Sequence, residues 1–128
     1  MIRGVMFMSK TTKTLGRQGE ALAADYLSSH GYRVCEQNYH VRIGELDIIA
    51  MKQDVIVFVE VKTRRSLHCG FPAESVNFYK QQKIIKTAQF FLRQRHLEGC
   101  PCRFDVIEVY VRPERTWEVR HIQGAFEV

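Results

Sequence analysis

The residues best suited to chemistry lie in two neighbouring stretches, Asp47 in the first and Glu60 with Lys62 in the second. Side chains alternate between the faces of a strand, so Glu60 and Lys62 project from the same face. In an otherwise apolar strand each carries a desolvation cost that a purely structural design would avoid. An antiparallel turn near residues 52–53 would place Asp47 opposite residues 57–60. Two carboxylates and a lysine can therefore converge.

This combination is typical of metal-assisted phosphodiester hydrolysis. Mg²⁺ selects carboxylate oxygens, backbone carbonyls and water, and one or two carboxylates are enough because water and substrate phosphate complete its shell. A lysine beside them can orient or deprotonate the attacking water and offset charge on the phosphate. The alternative is a buried ion pair between Glu60 and Lys62, with Asp47 only marking a strand end. Spacing favours the functional interpretation and leaves the alternative open.

The elements that would position these residues follow from hydrophobic periodicity. The run 55–63 is apolar on both parities, which is typical of a central strand covered on both faces. Helix and strand patterns alternate in the order α-β-β-β-α-β-β, which predicts an α/β sandwich with a mixed central β-sheet flanked by helices. The predicted elements are a helix that begins at Leu15 and is stopped by Gly31, strands at 32–38, 44–50 and 55–63, a loop at 64–73, a helix at roughly 77–95, and strands at 104–111 and 116–122.

The length and composition limit the kinds of protein that this chain can be. The 128 residues suit one domain, with residues 1–12 as a flexible N-terminal arm and 13–128 as a single domain. The 45% hydrophobic content excludes a disordered chain, and four cysteines without zinc spacing predict reduced thiols. No apolar run could span a bilayer or serve as a secretory signal, so a soluble cytoplasmic protein without membrane association is expected. The net charge of +5 makes polyanions plausible partners.

Two segments carry a family resemblance. Gly44–Ala50 followed by Phe58–Arg64 resembles the PD-(D/E)xK nuclease pattern, with Leu46 in place of the proline, and Gly16–Glu20 matches a helix-1 element that precedes it. From Gly16 to about Val111 the chain resembles the bacterial YraN family. That resemblance implies a restriction-endonuclease-like fold, similar to archaeal Holliday-junction resolvases. It implies an activity less firmly, because this fold also hosts proteins that bind without cutting.

The resemblance also implies roles for individual residues. Asp47 and Glu60 would ligate Mg²⁺ or Mn²⁺, with the carbonyl of Val61 as a further ligand. Lys62 would serve the nucleophilic water, and Glu20 would face the site from the first helix. Without the resemblance, Glu20 is an ordinary helix carboxylate three residues from an arginine.

Basic residues beyond the proposed site form a candidate surface for a phosphate backbone, although a merely soluble helix face explains them equally well. Lysines spaced three apart on the second helix can form one ridge. Tyr79, among them, could stack on a base, but packing on the sheet is favoured. Asp105 is expected to be a hydrogen-bonded strand-end carboxylate. The basic set is Arg64, Arg65, Lys80, Lys83 and Lys86.

Three functions are compatible with these features. The favoured one is a metal-dependent nuclease that hydrolyses phosphodiester bonds in DNA, with branched or damaged structures as candidate substrates and a homodimer as one allowed assembly. The main alternative is a non-catalytic nucleic-acid-binding module on the same fold. A third is an ion-paired interaction protein that binds no nucleic acid. Salt-dependent DNA binding separates the third from the first two, and cleavage separates the first from the second.

Overall fold

A computed structural model of the chain describes residues 2–5, 12–65, 76–112, 114 and 116–128. Within these ranges no helix is long and apolar enough to cross a membrane. The described elements are β1 (Ile2–Val5), α1 (Thr12–Ser29), β2 (Arg33–Val41), β3 (Gly44–Lys52), β4 (Val55–Arg65), α2 (Phe78–Gln94), β5 (Cys102–Val111) and β6 (Thr116–Phe126).

The strands form one mixed sheet in the order β1-β6-β5-β4-β3-β2. Only β4 and β5 run parallel among the described strands, and they need a crossover connection that contains α2. β3 and β4 form a hairpin whose two turn residues, Gln53 and Asp54, both have positive φ angles of 50° and 67°. Such a turn matches the right-handed twist of the strands it joins. The mixed α/β sheet with two helices is therefore confirmed.

The N-terminal residues differ from the sequence prediction. Residues 1–12 were expected to lie outside the fold, and this is wrong for Ile2–Val5, which pairs antiparallel with β6. Four residues are too few for a hydrophobic period to be visible, and an exposed edge of β6 is what makes them a strand. Thr12 begins α1, while residues 1 and 6–11 lie outside the described residues.

The loop expected at 64–73 begins later than predicted. Arg64 and Arg65 still belong to β4, where they pair with Tyr110 and Val111 of β5. The parallel ladder extends the strand beyond the point at which its apolar character ends. Residues 66–73 of the expected loop lie outside the described part of the chain.

The central strand β4 separates two hydrophobic clusters. Its alternate residues Ile56 and Phe58 lie in the cluster that includes α2. Val57, Val59 and Val61 lie in the cluster that includes α1. Because both faces are buried, the strand is apolar on both parities, as the sequence indicates. Glu60 and Lys62 continue the α2 face at the point where this burial ends.

Two glycines let the helices approach the sheet at the same end as the polar residues. A Cβ atom on Gly19 of α1 would overlap the hydroxyl of Thr63 in β4. A Cβ atom on Gly44, the first residue of β3, would overlap the hydroxyl of Thr87 in α2. Each glycine thus fixes how closely a helix lies against the strands that carry Asp47 and Glu60.

Replacing Gly19 by alanine should destabilise the protein by about 1–3 kcal/mol, because β4 must shift to admit the added methyl group. Gly16 on the same helix is the matched control, since its Cβ position has no neighbour within 4 Å. Gly16→Ala should stabilise the helix by about 0.5–1 kcal/mol. Urea unfolding of both variants measures the difference. Equal effects would show that α1 does not depend on this close approach.

Candidate active site

A cleft of about 490 Å³ lies where β3 and β4 leave the core. Its floor combines two carboxylates with a lysine, and its walls come from both helices and from the turn between β2 and β3. The charged residues that line the cleft include Asp47, Glu60 and Lys62 on the floor, Glu20 from α1, and Lys80 and Lys83 from α2.

The hairpin register brings the two carboxylates together. Ile48 pairs with Val59, so the next step along the hairpin places Asp47 beside Glu60. The backbone N–H of Val61 donates a hydrogen bond of 2.8 Å to Oδ2 of Asp47 and fixes its carboxyl group. Asp47 and Glu60 are close enough for the charge of each carboxyl group to act on the other. The structure therefore joins the two residues that the sequence singled out.

This proximity changes the acidity of Asp47. Burial and the charge of Glu60 raise its pKa to about 8, although the hydrogen bond from Val61 opposes the rise. A carboxyl group with a raised pKa keeps its proton more readily than an ordinary aspartate. A divalent cation bound between two such close carboxyl groups would offset the repulsion between their charges.

Glu60 is only 8% exposed and has two ammonium neighbours. Nζ of Lys80 lies 2.8 Å from its Oε2, whereas Nζ of Lys62 lies 3.7 Å from the same oxygen. The closer partner is therefore Lys80, which the sequence assigned to a ridge along the second helix. The side chain of Asn77 caps α2 by accepting a 2.8 Å hydrogen bond from the Lys80 N–H. This cap sets the helix start, and with it the entry of Lys80 into the cleft.

The two lysines differ in their electrostatics. Burial and the neighbouring Lys80 ammonium lower the pKa of Lys62, and Glu60 and Asp47 only partly oppose this. Burial would also lower the pKa of Lys80, but hydrogen bonds to Glu60 and Lys62 raise it instead. Lys80 is thus a fixed cation, while Lys62 loses its proton more readily than an ordinary lysine.

Glu20 reaches the same cleft from α1. Its pKa is raised by burial and by the charges of Glu60 and Glu45, against the lowering effect of Arg17 and of a hydrogen bond with Asn38. The preceding residue, Gly19, is the point of close approach to β4. The structure therefore places Glu20 within the electrostatic field of the floor.

The donor set suits a hard divalent cation. Within the described ranges no group of three or more His, Cys, Asp and Glu side chains could hold a metal ion. Asp47 and Glu60 would have to hold it as a pair, which suits Mg²⁺ because water and phosphate oxygens supply the rest of its shell. The fit is supported by Glu60 itself, whose Oε2 already binds the ammonium of Lys80.

The remaining basic residues fall into different surroundings. Lys83 is exposed on the cleft wall, and Lys86 is exposed outside the cleft. Arg64 lies 3.9 Å from Oε2 of the fully buried Glu108, so part of its charge is balanced within the sheet. Arg65 is exposed at the end of β4. Of the five basic residues in the set predicted from the sequence, only Lys80 and Lys83 line the cleft.

The surroundings of Tyr79 and Asp105 can be compared with what the sequence predicts for them. Tyr79 is 74% exposed, so the preference for packing on the sheet is wrong. It lies on the first turn of α2, and the buried residues of this helix begin at Ile84.

Asp105 is fully buried and accepts hydrogen bonds from Arg103 and from the N–H of Gly124. Burial would raise its pKa, but its hydrogen bonds lower it, so the expected hydrogen-bonded carboxylate is confirmed.

Sequence reasoning missed the turn between β2 and β3. His40, Arg42 and Ile43 all line the cleft. The predicted strand ended at residue 38, whereas β2 continues to Val41 because it pairs with β3. The alternation of Tyr39 and Val41 with polar residues was the available signal for a longer strand.

The chain was compared with known proteins. The sequence model of the "Uncharacterised protein family UPF0102" matches residues 19–109. A UPF0102 protein from Caldanaerobacter subterraneus subsp. tengcongensis is 49% identical over 116 residues, covering 89% of this chain and 95% of that one. A UPF0102 protein from Clostridioides difficile is 46% identical over 114 residues, covering 89% of this chain and 97% of that one.

Among solved structures, SfsA from Pyrococcus furiosus in complex with Ca²⁺ aligns with a TM-score of 0.36 and 14% identity, covering 91% of this chain and 65% of that chain. The family match includes Glu20, Asp47, Glu60 and Lys62. It confirms the resemblance inferred from the sequence, and the chain belongs to the UPF0102, or YraN, family.

Proposed function

We propose that this protein is a metal-dependent nuclease that hydrolyses phosphodiester bonds in DNA, on a sheet of the restriction-endonuclease-like type. The proposal rests on one observation: the hairpin register and the N–H of Val61 hold Asp47 beside Glu60 on the floor of a cleft that two lysines also enter. Paired carboxylates beside a lysine of lowered pKa are suited to water activation next to a phosphate.

A divalent metal would be held by Asp47, Glu60 and the carbonyl of Val61. When bound, Mg²⁺ or Mn²⁺ would polarise the phosphate and lower the pKa of bound water. Lys62 would orient the attacking water and accept its proton, for which its lowered pKa suits it. Lys80, freed from Glu60, would face the phosphate as a fixed cation. Glu20 would add an acceptor for water on the α1 side of the cleft.

The charges around the cleft support a polyanionic substrate. Lys83 and Arg42 both line the cleft, and Lys86 lies further along α2. Cations in this arrangement can bind successive phosphates and hold a strand across the floor. The overall charge of +5 adds long-range attraction.

Replacing both Lys83 and Lys86 by alanine should weaken DNA binding for every sequence, because phosphate contacts carry no base information. The slope of log affinity against log salt should become shallower by about 0.9 for each lost contact with duplex DNA. Fluorescence anisotropy titrations at several salt concentrations measure this slope. An unchanged slope would remove Lys83 and Lys86 from the DNA-binding surface.

The decisive experiment is cleavage of plasmid, forked and four-way-junction DNA with Mg²⁺ or Mn²⁺, with RNA of matched sequence in parallel. The wild type should cut DNA, and Asp47→Ala and Glu60→Gln should not. Salt-dependent binding without cleavage under any of these conditions would instead support the non-catalytic nucleic-acid-binding module. Absence of both would support an interaction protein that does not bind nucleic acid.

A further inference from the structure

Two adjacent aromatic side chains at the start of α2 are almost entirely exposed. Phe78 is 72% exposed and Tyr79 is 74% exposed. Ile43, which lines the cleft from the turn between β2 and β3, is 44% exposed. Three of the four exposed large hydrophobic side chains in the described part of the chain therefore lie at or beside one cleft.

Neither aromatic side chain is needed for the structure around it. The N-terminus of α2 is capped by Asn77, whose Oδ1 accepts from the N–H of Lys80. The side chains that fix α2 on the sheet begin six residues further on, at Ile84. Exposed phenylalanine and tyrosine add nothing to the core and present open ring faces to solvent, which is typical of a binding surface.

Their position relative to the floor is fixed. Lys80 follows directly along the helix and is tied to Glu60 at 2.8 Å. A helix rises about 1.5 Å per residue, so Phe78 and Tyr79 lie within about 3 Å of Lys80 along its axis. Each residue also turns about 100° around the helix, so Tyr79 lies one step and Phe78 two steps around it from Lys80. A strand whose phosphate is held at Lys80 and Lys83 can therefore carry its neighbouring bases out of the cleft to these rings.

We infer that Phe78 and Tyr79 stack on unpaired bases beside the phosphate in the cleft, so the substrate contains a single-stranded segment at that position. This inference rests on the proposed nuclease function and names its substrate class. Bases inside a duplex have both faces covered by their neighbours, whereas unpaired bases offer a face to an aromatic side chain. Sites for single-stranded nucleic acid typically combine basic side chains, which contact the phosphates, with exposed aromatic rings, which stack on the bases.

The inference is tested by binding without metal, so that no cleavage intervenes. The probes are end-labelled oligo(dT), an oligomer of equal length with abasic sites at its centre, and a duplex of equal length. Replacing both Phe78 and Tyr79 by leucine keeps apolar area but removes the rings. This double variant should bind oligo(dT) at least about tenfold more weakly than the wild type. Its affinity for the abasic oligomer and the duplex should change less than about twofold, because those contacts are to phosphates.

Gln89→Ala provides the matched control, since Gln89 is exposed further along the same helix and should leave all three affinities unchanged. A second measurement uses Tyr79→Trp, whose fluorescence should be quenched by oligo(dT) and not by the abasic oligomer. Circular dichroism and thermal melts check that each variant is folded.

Equal affinity of the wild type and the double leucine variant for oligo(dT) would overturn the inference. So would an equal loss of affinity for all three probes, or a concentration-dependent dimer that only the wild type forms, because the rings would then serve another contact. Cleavage of forked DNA with a single-stranded arm by the same variant separates the two proposals: cutting at the wild-type rate would leave the nuclease function standing and reject only the single-stranded substrate.

Discussion

Replacing Lys62 by methionine should slow phosphodiester cleavage by about 10²- to 10⁴-fold, which is the usual contribution of a general base. The affinity for DNA should change little, because the other cations around the cleft remain. The reason is geometric: Lys62 lies on the same strand face as Glu60, 3.7 Å from its carboxylate, and its pKa is lowered by burial and by Lys80. Single-turnover rates at saturating enzyme measure the chemical step separately from binding.

Two further variants sharpen this result. Lys83→Met is the matched control, because Lys83 lines the cleft wall without an ion pair to Glu60 among the described contacts. It should reduce affinity more than the rate constant. Lys62→Arg keeps the charge but cannot give up a proton near neutral pH. A wild-type rate in Lys62→Arg would contradict proton acceptance and leave Lys62 an electrostatic role only. Loss of metal affinity in Lys62→Met would assign it a structural role instead.

The floor of the cleft could be predicted because it is built from local structure. Asp47, Glu60 and Lys62 lie on one hairpin, and a two-residue turn at Gln53 and Asp54 fixes their register. Strand alternation then determines which side chains share a face. The polar turn and the apolar strands on each side of it are visible in the sequence, so the convergence of the carboxylates follows from it.

The walls of the cleft could not be predicted in the same way. The contact between Lys80 and Glu60 depends on how α2 lies across β4, which is set by packing between distant segments. Spacing along the helix places Lys80, Lys83 and Lys86 on one ridge, but a period of three drifts around a helix of 3.6 residues per turn. The first therefore points into the cleft while the last lies outside it. The exposure of Phe78 and Tyr79 has the same origin, since α2 meets the core only later.

Glu20 shows what a resemblance adds to physical reasoning. Its charge and its neighbour Arg17 describe an ordinary surface pair, so the residues alone gave no reason to place it at the site. What the sequence alone lacks is the close approach of α1 to β4 at Gly19. Recognising this approach requires knowing that Thr63 of β4 lies against Gly19. The family resemblance supplied the expectation, and the fold supplies its physical cause.

Replacing Asp47 by asparagine should raise the melting temperature of the metal-free protein, by about 1 kcal/mol in unfolding free energy, as is usual when a functional site is relaxed. The asparagine oxygen can still accept from the N–H of Val61, and its amide nitrogen can donate to the neighbouring carboxylate of Glu60. The variant therefore keeps the hydrogen bond from Val61 and removes the free-energy cost of either ionising Asp47 beside Glu60 or protonating it on folding.

The dependence on pH has a definite sign. The pKa of Asp47 rises from 3.8 to about 8 on folding, so between these values the folded chain binds more protons than the unfolded chain. This contribution to the stability of the wild type should fall as the pH increases through that window and should be absent in Asp47→Asn. The advantage of the variant should therefore be larger near the upper end of the window than near its lower end. Thermal melts in chelator across this range measure both curves.

Asp105→Asn is the matched control, because it removes the charge of another buried aspartate whose pKa is lowered instead. Asp105 accepts hydrogen bonds from Arg103 at 2.8 and 2.9 Å, so this variant should be destabilised by about 3–5 kcal/mol as an uncompensated charge is left behind. The two substitutions are chemically identical, and their effects on the free energy of unfolding should have opposite signs.

Added Mg²⁺ or Mn²⁺ should stabilise the wild type and Asp105→Asn but not Asp47→Asn, because only a ligand that binds the folded state shifts unfolding. A lower melting temperature for Asp47→Asn, with an unaltered response to metal, would mean that Asp47 is a satisfied strand-end carboxylate and would remove the metal from the proposed function.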